Sequence, residues 1–346
     1  MKPALPLTLL LMFSLAGAAH ARGPGTTSGT LALANLDHLI AQRGDDPAAD
    51  ELWLTRARFL SDDEALARGT VAADAAAPDA PALLRRAHAR AALHRFHQAL
   101  ADLAAARTAG AADCDWLPLH DSIRIAQGAA LEVLPRAQAA AAATPGFASQ
   151  AALATAYAGA GRFADADRAF AAARAALDTT SPLPYAWLDF ARGTMWAEQA
   201  GDARRGARFL RRALAYLPGF VAANLHLAEI EAARGETAAA EQRLASVAAS
   251  RDAEVLALLG SLHAATDPAR GAREIAAAGA RFEELLAARP LAYADHAAAF
   301  YLGAGANPER ARRLAAANLA ERNTPRARAL AERAARFEGG VTPEAR

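Results

Sequence analysis

A helix, a glycine turn and a second helix return along this chain about every 34 residues. A chain built on such a period stacks its units on one another and does not close around a single core. The pattern is clearest in Phe147–Asp178, FASQAALATAYAGAGRFADADRAFAAARAALD. Leu153, Ala154 and Tyr157 recur at helical spacing, Gly161 interrupts them, and Ala166, Phe170 and Ala173 resume the apolar face. Glycine accepts the left-handed conformation that ends a helix. Asp165 and Asp167 then fall in the first turn of the next helix, where the helix dipole favours negative charge. Units begin near Ala80, Cys114, Phe147, Trp187, Val221, Ala253 and Ala292, in steps of 34, 33, 40, 34, 32 and 39 residues. The two long steps have visible causes: an inserted turn at Thr179–Pro184, and a second helix extended from Ala269 to Ala288.

The composition agrees with helix. The chain is 53% hydrophobic but only 6% aromatic, because alanine supplies so much of the apolar count. Alanine with leucine, arginine and glutamate favours helix on propensity alone. No period-2 run marks a strand, so the expected fold is all-α.

The small–large–small pattern of Ala154, Tyr157, Ala166 and Phe170 resembles the tetratricopeptide repeat. Other units repeat it. Phe96, Ala99, Leu103 and Ala106 fall in register, as do Gly201, Leu210, Ala213 and Pro218, and Leu227, Ala228, Gly235, Ala240 and Leu244. The unit from Cys114 is weak, with Val133 in place of the small residue and Pro135 inside its second helix. Gly193 and Thr194 also depart from the pattern. The resemblance implies a right-handed superhelical solenoid of antiparallel helix pairs, with about seven units over residues 80–325. Residues 31–79 are then a degenerate N-terminal helical cap, opened at its second helix by Asp46 and Pro47. Residues 326–338 make a C-terminal capping helix whose apolar stripe is Ala327, Leu330, Ala331, Ala334 and Phe337, and 339–346 a tail.

Lys2, the apolar run Leu5–Leu15 and Ala19-His20-Ala21 together read as a signal peptide over 1–21, cleaved after Ala21 and followed by a flexible lead-in over 22–30. The run is shorter than the roughly 20 residues that span a bilayer. The expectation is an exported bacterial protein, periplasmic or secreted, with no stable membrane insertion after cleavage. Lys2 is the only lysine, which leaves 37 arginines against 37 acidic residues in the processed chain. A balanced chain offers no basic face for nucleic acid. Cys114 is the only cysteine and cannot form an internal disulfide.

No constellation for catalysis stands out. His88, His94 and His97 are close in sequence, but the repeat register points them in different directions, so no metal set is expected. Cys114, His120 and Asp121 lack a positioned base. The glycines of GAGANPER at Gly303 follow no strand and precede no lysine, as a phosphate loop requires. The chain reads as neither an enzyme nor a cofactor binder. The resemblance instead assigns binding to the first helices of the units, which line a concave groove and take a peptide or helix of a partner protein. Carried over by position, the lining is His88, Ser122, Thr155, Met195, Glu198, Gln199, Glu229, Ser261, Tyr293, His296 and Phe300. Tyr293, His296 and Phe300 form the expected anchor. The expected function is an exported scaffold or adaptor in envelope complex assembly. Two alternatives stay open: a structural homo-oligomerising module, and a metal-dependent enzyme or enzyme accessory.

Overall fold

The structure, a computed structural model, describes residues 25–44 and 46–336. The expected signal peptide with its cleavage site, Phe337, and the tail from 339 lie outside the described residues. Those residues hold eighteen α-helices and no strand. Three lead in: α1 (Gly29–Arg43), α2 (Asp50–Leu60) and α3 (Asp63–Gly69). Pairs follow as α4 and α5 (Ala80–Ala92, Phe96–Thr108), α6 and α7 (Asp113–Ala126, Ala130–Ala143), and α8 and α9 (Phe147–Gly159, Phe163–Ala175). Next are α10 and α11 (Pro182–Thr194, Ala203–Tyr216), α12 and α13 (Val221–Ala233, Thr237–Ala245), and α14 and α15 (Ala253–His263, Pro268–Ala288). The last are α16 and α17 (Ala294–Leu302, Pro308–Glu321) and α18 (Pro325–Arg336). The fold is a solenoid of helix pairs. By packing the described residues divide into two units, 25–92 with 96–252, and 93–95 with 253–336.

The α8–α9 pair shows how local chemistry makes each hairpin. Gly161 adopts φ +75°, and Arg162 N then donates to Tyr157 O at 2.9 Å, closing the helix end. Gly235 does the same at φ +78°, with Glu236 N on Glu231 O at 2.9 Å. Ala154, Ala166 and Ala173 are fully buried in the seam between the two helices, and Phe170 fills the space beside them. Each large side chain buried in this way contributes about 1.5–3 kcal/mol.

In the first unit this core runs from α8 to α12 and includes Trp187, Phe190, Leu210, Phe220 and Leu227. It also takes in Ala32 of α1 and Phe59 of α2, from far earlier in the chain. In the second unit Phe282, Leu286, Phe300 and Leu314 form the centre, and α18 covers one side with Leu330 and Ala334. Among the described residues, no helix is long and apolar enough to cross a membrane.

Candidate protein-binding face

The first helices of the pairs are α4, α6, α8, α10 and α12 in the first unit, and α14 and α16 in the second. Several predicted lining residues keep some access to solvent there. Gln199 and Ser261 are exposed, and His88, Ser122, Thr155 and Tyr293 are half-buried. The Thr155 and Ser261 hydroxyls donate to carbonyls one turn back, Ala151 O at 3.0 Å and Ala257 O at 2.7 Å. Burial pushes the His88 imidazole down to about 4.

Two predicted lining residues are core residues instead. Met195 is 1% exposed and packs in the cluster that holds Phe59 and Trp187. It opens a π turn, Met195–Gln199, in which Ala200 N reaches back to Met195 O at 3.0 Å. One added residue in that turn shifts the side chains that follow α10 out of the simple repeat register. Phe300 is 8% exposed, with its ring 5.0 Å from that of Phe282 and Tyr301 against it at the same distance. Packing by α15 from one side, and the close approach of Gly305 to its ring, put Phe300 inside the second unit. The expected anchor is therefore not an open cluster.

Glu198, Glu229 and His296 lie in buried ionic groups. His226 Nδ1 sits 3.0 Å from Glu198 Oε1 and 3.1 Å from Glu229 Oε2, with all three side chains largely buried. Burial opposes charge on His226, but the two carboxylates more than reverse it and hold the imidazolium well above the ordinary range. In the second unit His296 Nδ1 lies 2.8 Å from Glu254, and the adjacent Asp295 pairs with Arg322 at 2.9 Å. Burial again works against the charge of His296, and Asp295 and Glu254 raise it to about 9. These groups tie helices together inside each unit.

The largest departure from the sequence reading is what lies on α10 and α12. Helix α1 packs against α10, and α2 packs against α12. Phe59 is fully buried with its ring edge-on to Phe220 at 4.9 Å, and Phe220 in turn lies 4.7 Å from Phe190. A Cβ on Gly29 would sit 2.3 Å from Tyr216 O, so only glycine lets α1 start this close to the end of α11. The face expected to stand open is covered here by the chain's own N-terminal helices. The sequence carried a faint signal of this: Phe59 is a large apolar residue standing off the Trp53–Leu60 stripe of α2.

Beside this face Asp167 of α9 gathers three donors from the next pair. Arg192 Nε lies at 2.5 Å, Arg205 Nη2 at 2.7 Å and Trp196 Nε1 at 2.8 Å. Burial would raise the Asp167 pKa, but the hydrogen bonds and charges of these partners hold it below the usual carboxylate range. The repeat register placed Asp167 only as a first-turn acid.

Of the other sequence candidates, the His94 imidazole is pushed down to about 3, chiefly by burial, while His97 is exposed. Cys114 is exposed, with Sγ 3.5 Å from Asp115. His120 lies 3.0 Å from Asp121, whose carboxylate Arg136 engages at 2.8 Å. Among the described residues, no group of three or more His, Cys, Asp or Glu is arranged to hold a metal ion.

A family model described as tetratricopeptide repeat matches residues 197–262, from just before α11 into α14. Among solved structures the chain is similar to one in the crystal structure of the APC/C hetero-tetramer Cut9–Hcn1. That likeness has 18% identity and a TM-score of 0.47, and it covers 85% of this chain and 64% of the other, so this chain spans less than two thirds of that one. It is also similar to the P58(IPK) TPR domain, at 16% identity and a TM-score of 0.22, covering 89% of this chain and 94% of that one. No curated protein matched the sequence. The matched stretch is not exceptional within the chain: the same hairpin, with small residues in its seam, recurs before it and after it. Residues 197–262 thus match the tetratricopeptide repeat, within a chain whose described residues are built of helix pairs.

Proposed function

We propose that this protein is an exported scaffold that takes a helical segment of a partner protein on the faces of its first helices, in the assembly of an envelope complex. The observation that carries the reading is the repetition itself. Each hairpin buries its seam against its neighbours, and the first helices α6, α8 and α14 keep Ser122, Thr155 and Ser261 within reach of solvent, a mode in which amphipathic helices dock. Export is supported by Lys2, the apolar run Leu5–Leu15 and the A-x-A site at Ala19–Ala21.

A photo-crosslinker placed at Ser122 on α6 or Ser261 on α14, in cells producing the full chain, tests the binding face. A control at exposed Arg211 on α11 reports on a second helix. The reading expects discrete adducts with another protein from Ser122 or Ser261 and none from Arg211. Adducts from Arg211 alone would overturn it. N-terminal sequencing of the purified protein tests export, with Arg22 expected as the first residue and Met1 as the contrary result.

A further inference from the structure

We propose that α1–α3 form a displaceable cover on the face made by α10 and α12, and that the partner this face takes is an amphipathic helix with an aromatic anchor in the place of Phe59. The inference rests on the scaffold reading and names its ligand class.

Helices α1–α3 are tied to one another independently of the array. Leu36 and Ile40 of α1 pack on Leu52 of α2, a small core of their own. Arg56 of α2 holds both Asp37 of α1 and the cap residue of α3, Asp62, the latter at 2.9 Å. A Cβ on Gly69 would sit 2.8 Å from Leu54 Cγ, so the end of α3 is seated closely on α2. These contacts would stay intact if the three helices left the array together.

The chain after them is anchored differently. Arg90 Nε donates to Ala73 O at 2.9 Å and Arg86 Nη1 to Ala75 O at 3.1 Å, which fixes the turn after α3 to α4. The chain passes from α3 into this turn at Thr70–Val71, where Val71 is 72% exposed.

The docked surface is small in its apolar part and polar beside it. Ala32, Phe59 and the half-buried Leu33 and Leu60 join the array core. Along the same α2 face, the Thr55 hydroxyl is buried without a hydrogen-bond partner. Glu51 Oε1 is buried likewise, and the carboxyl is pushed up to about 7 by burial against a smaller opposing effect of Arg58. A surface that buries polar groups imperfectly matched holds less strongly than its area implies. Phe59 is the exception. It closes a row of rings with Phe220 and Phe190, and a large aromatic enclosed in this way is what an interface uses as its anchor. A partner helix therefore needs an aromatic residue at this place and a small residue one turn before it, as Thr55 stands before Phe59.

Hydrogen exchange on the full chain tests the cover, with a synthetic peptide of residues 46–62 as the probe ligand and the same peptide carrying Phe59→Ala as its control. The proposal expects amides of residues 29–69 to exchange at least about tenfold faster than those of α8–α12. Adding the peptide should raise exchange over 29–69 further and slow it over α10 and α12, while the control peptide does neither. Gly29→Val, which forces a Cβ against Tyr216 O, should speed exchange over 29–69 by roughly another tenfold without changing α16 and α17. Uniform protection across 29–69 and α8–α12, or a peptide without effect, overturns the proposal. A dimer whose residues 29–69 keep full protection would make a second copy the occupant and overturns it equally. Either failure leaves the scaffold reading to the Ser122 and Ser261 crosslinks, which do not depend on the cover.

Discussion

Replacing Asp167 with asparagine keeps the side chain's size and removes its charge, which isolates the ionic hub between α9 and the α10–α11 pair. The Asp167 side chain is 12% exposed, its partner Arg192 13%, and Arg205 34%. Stranding one member of a buried ion pair costs about 3–5 kcal/mol. Arg205 reaches water and recovers part of its loss, and the substituted amide retains an oxygen for Trp196, so the expected cost is about 2–4 kcal/mol. For a unit of this size that is a fall in Tm of roughly 4–16 °C, read by circular dichroism or by exchange of the α9–α11 amides. The effect also has a pH signature. A carboxylate held below its unfolded value of 3.8 contributes fully above that pH and loses the contribution as pH falls through its depressed folded value. The gap between wild type and D167N should be constant from neutral pH to about 5 and close below 3.8. Equal melting at neutral pH, or a gap that persists in acid, would refute the assignment of Asp167 as a charged hub.

Phe170→Ala should cost about 3–5 kcal/mol in a denaturant titration, whereas Arg211→Ala, on an exposed position of α11, should leave the midpoint unchanged. Gly206→Ala should cost about 1–3 kcal/mol, since its Cβ would meet Ala197 N and Gly193 O at 2.8 Å each, and a melt equal to wild type would deny that α10 and α11 cross so closely. His296 is charged in the folded second unit and faces Asp295 and Glu254, with Arg326 opposing. Stability from this raised group is full below about 6.5 and is lost as pH rises through about 9, so the protection factors of α16 amides, corrected for intrinsic exchange, should fall across that window in wild type and stay flat in His296→Gln.

Local chemistry made most of the hairpins legible. Gly161 and Gly235 mark turns because a backbone with φ near +75° strongly favours glycine. Asp267 and Asn307 cap α15 and α17, accepting from Arg270 N at 2.9 Å and Arg310 N at 3.0 Å, as their place before a proline implies. The departures at Gly193 and Thr194 belong to the π turn and to the close α10–α11 crossing at Gly206, features a repeat register does not encode. Which first-helix side chains stay in contact with solvent was not legible from position in the repeat. Whether Met195, Glu198 or Phe300 meets solvent depends on what packs over it, and Phe59 arrives from far away in the sequence. No periodicity within a repeat carries that contact.

The position of the N-terminal segment on the array is the claim that most directly distinguishes this account from an open groove. A Cβ built on Gly25 lies 3.8 Å from Thr180 Cβ, the separation of a disulfide. The full chain carrying Gly25→Cys and Thr180→Cys, with Cys114→Ser to remove the exposed thiol, should form that cross-link on mild oxidation, read by peptide mapping of the intact folded protein. Free thiols at both positions after oxidation, in a protein with the wild-type helical spectrum, would place the N-terminal segment elsewhere and contradict the account.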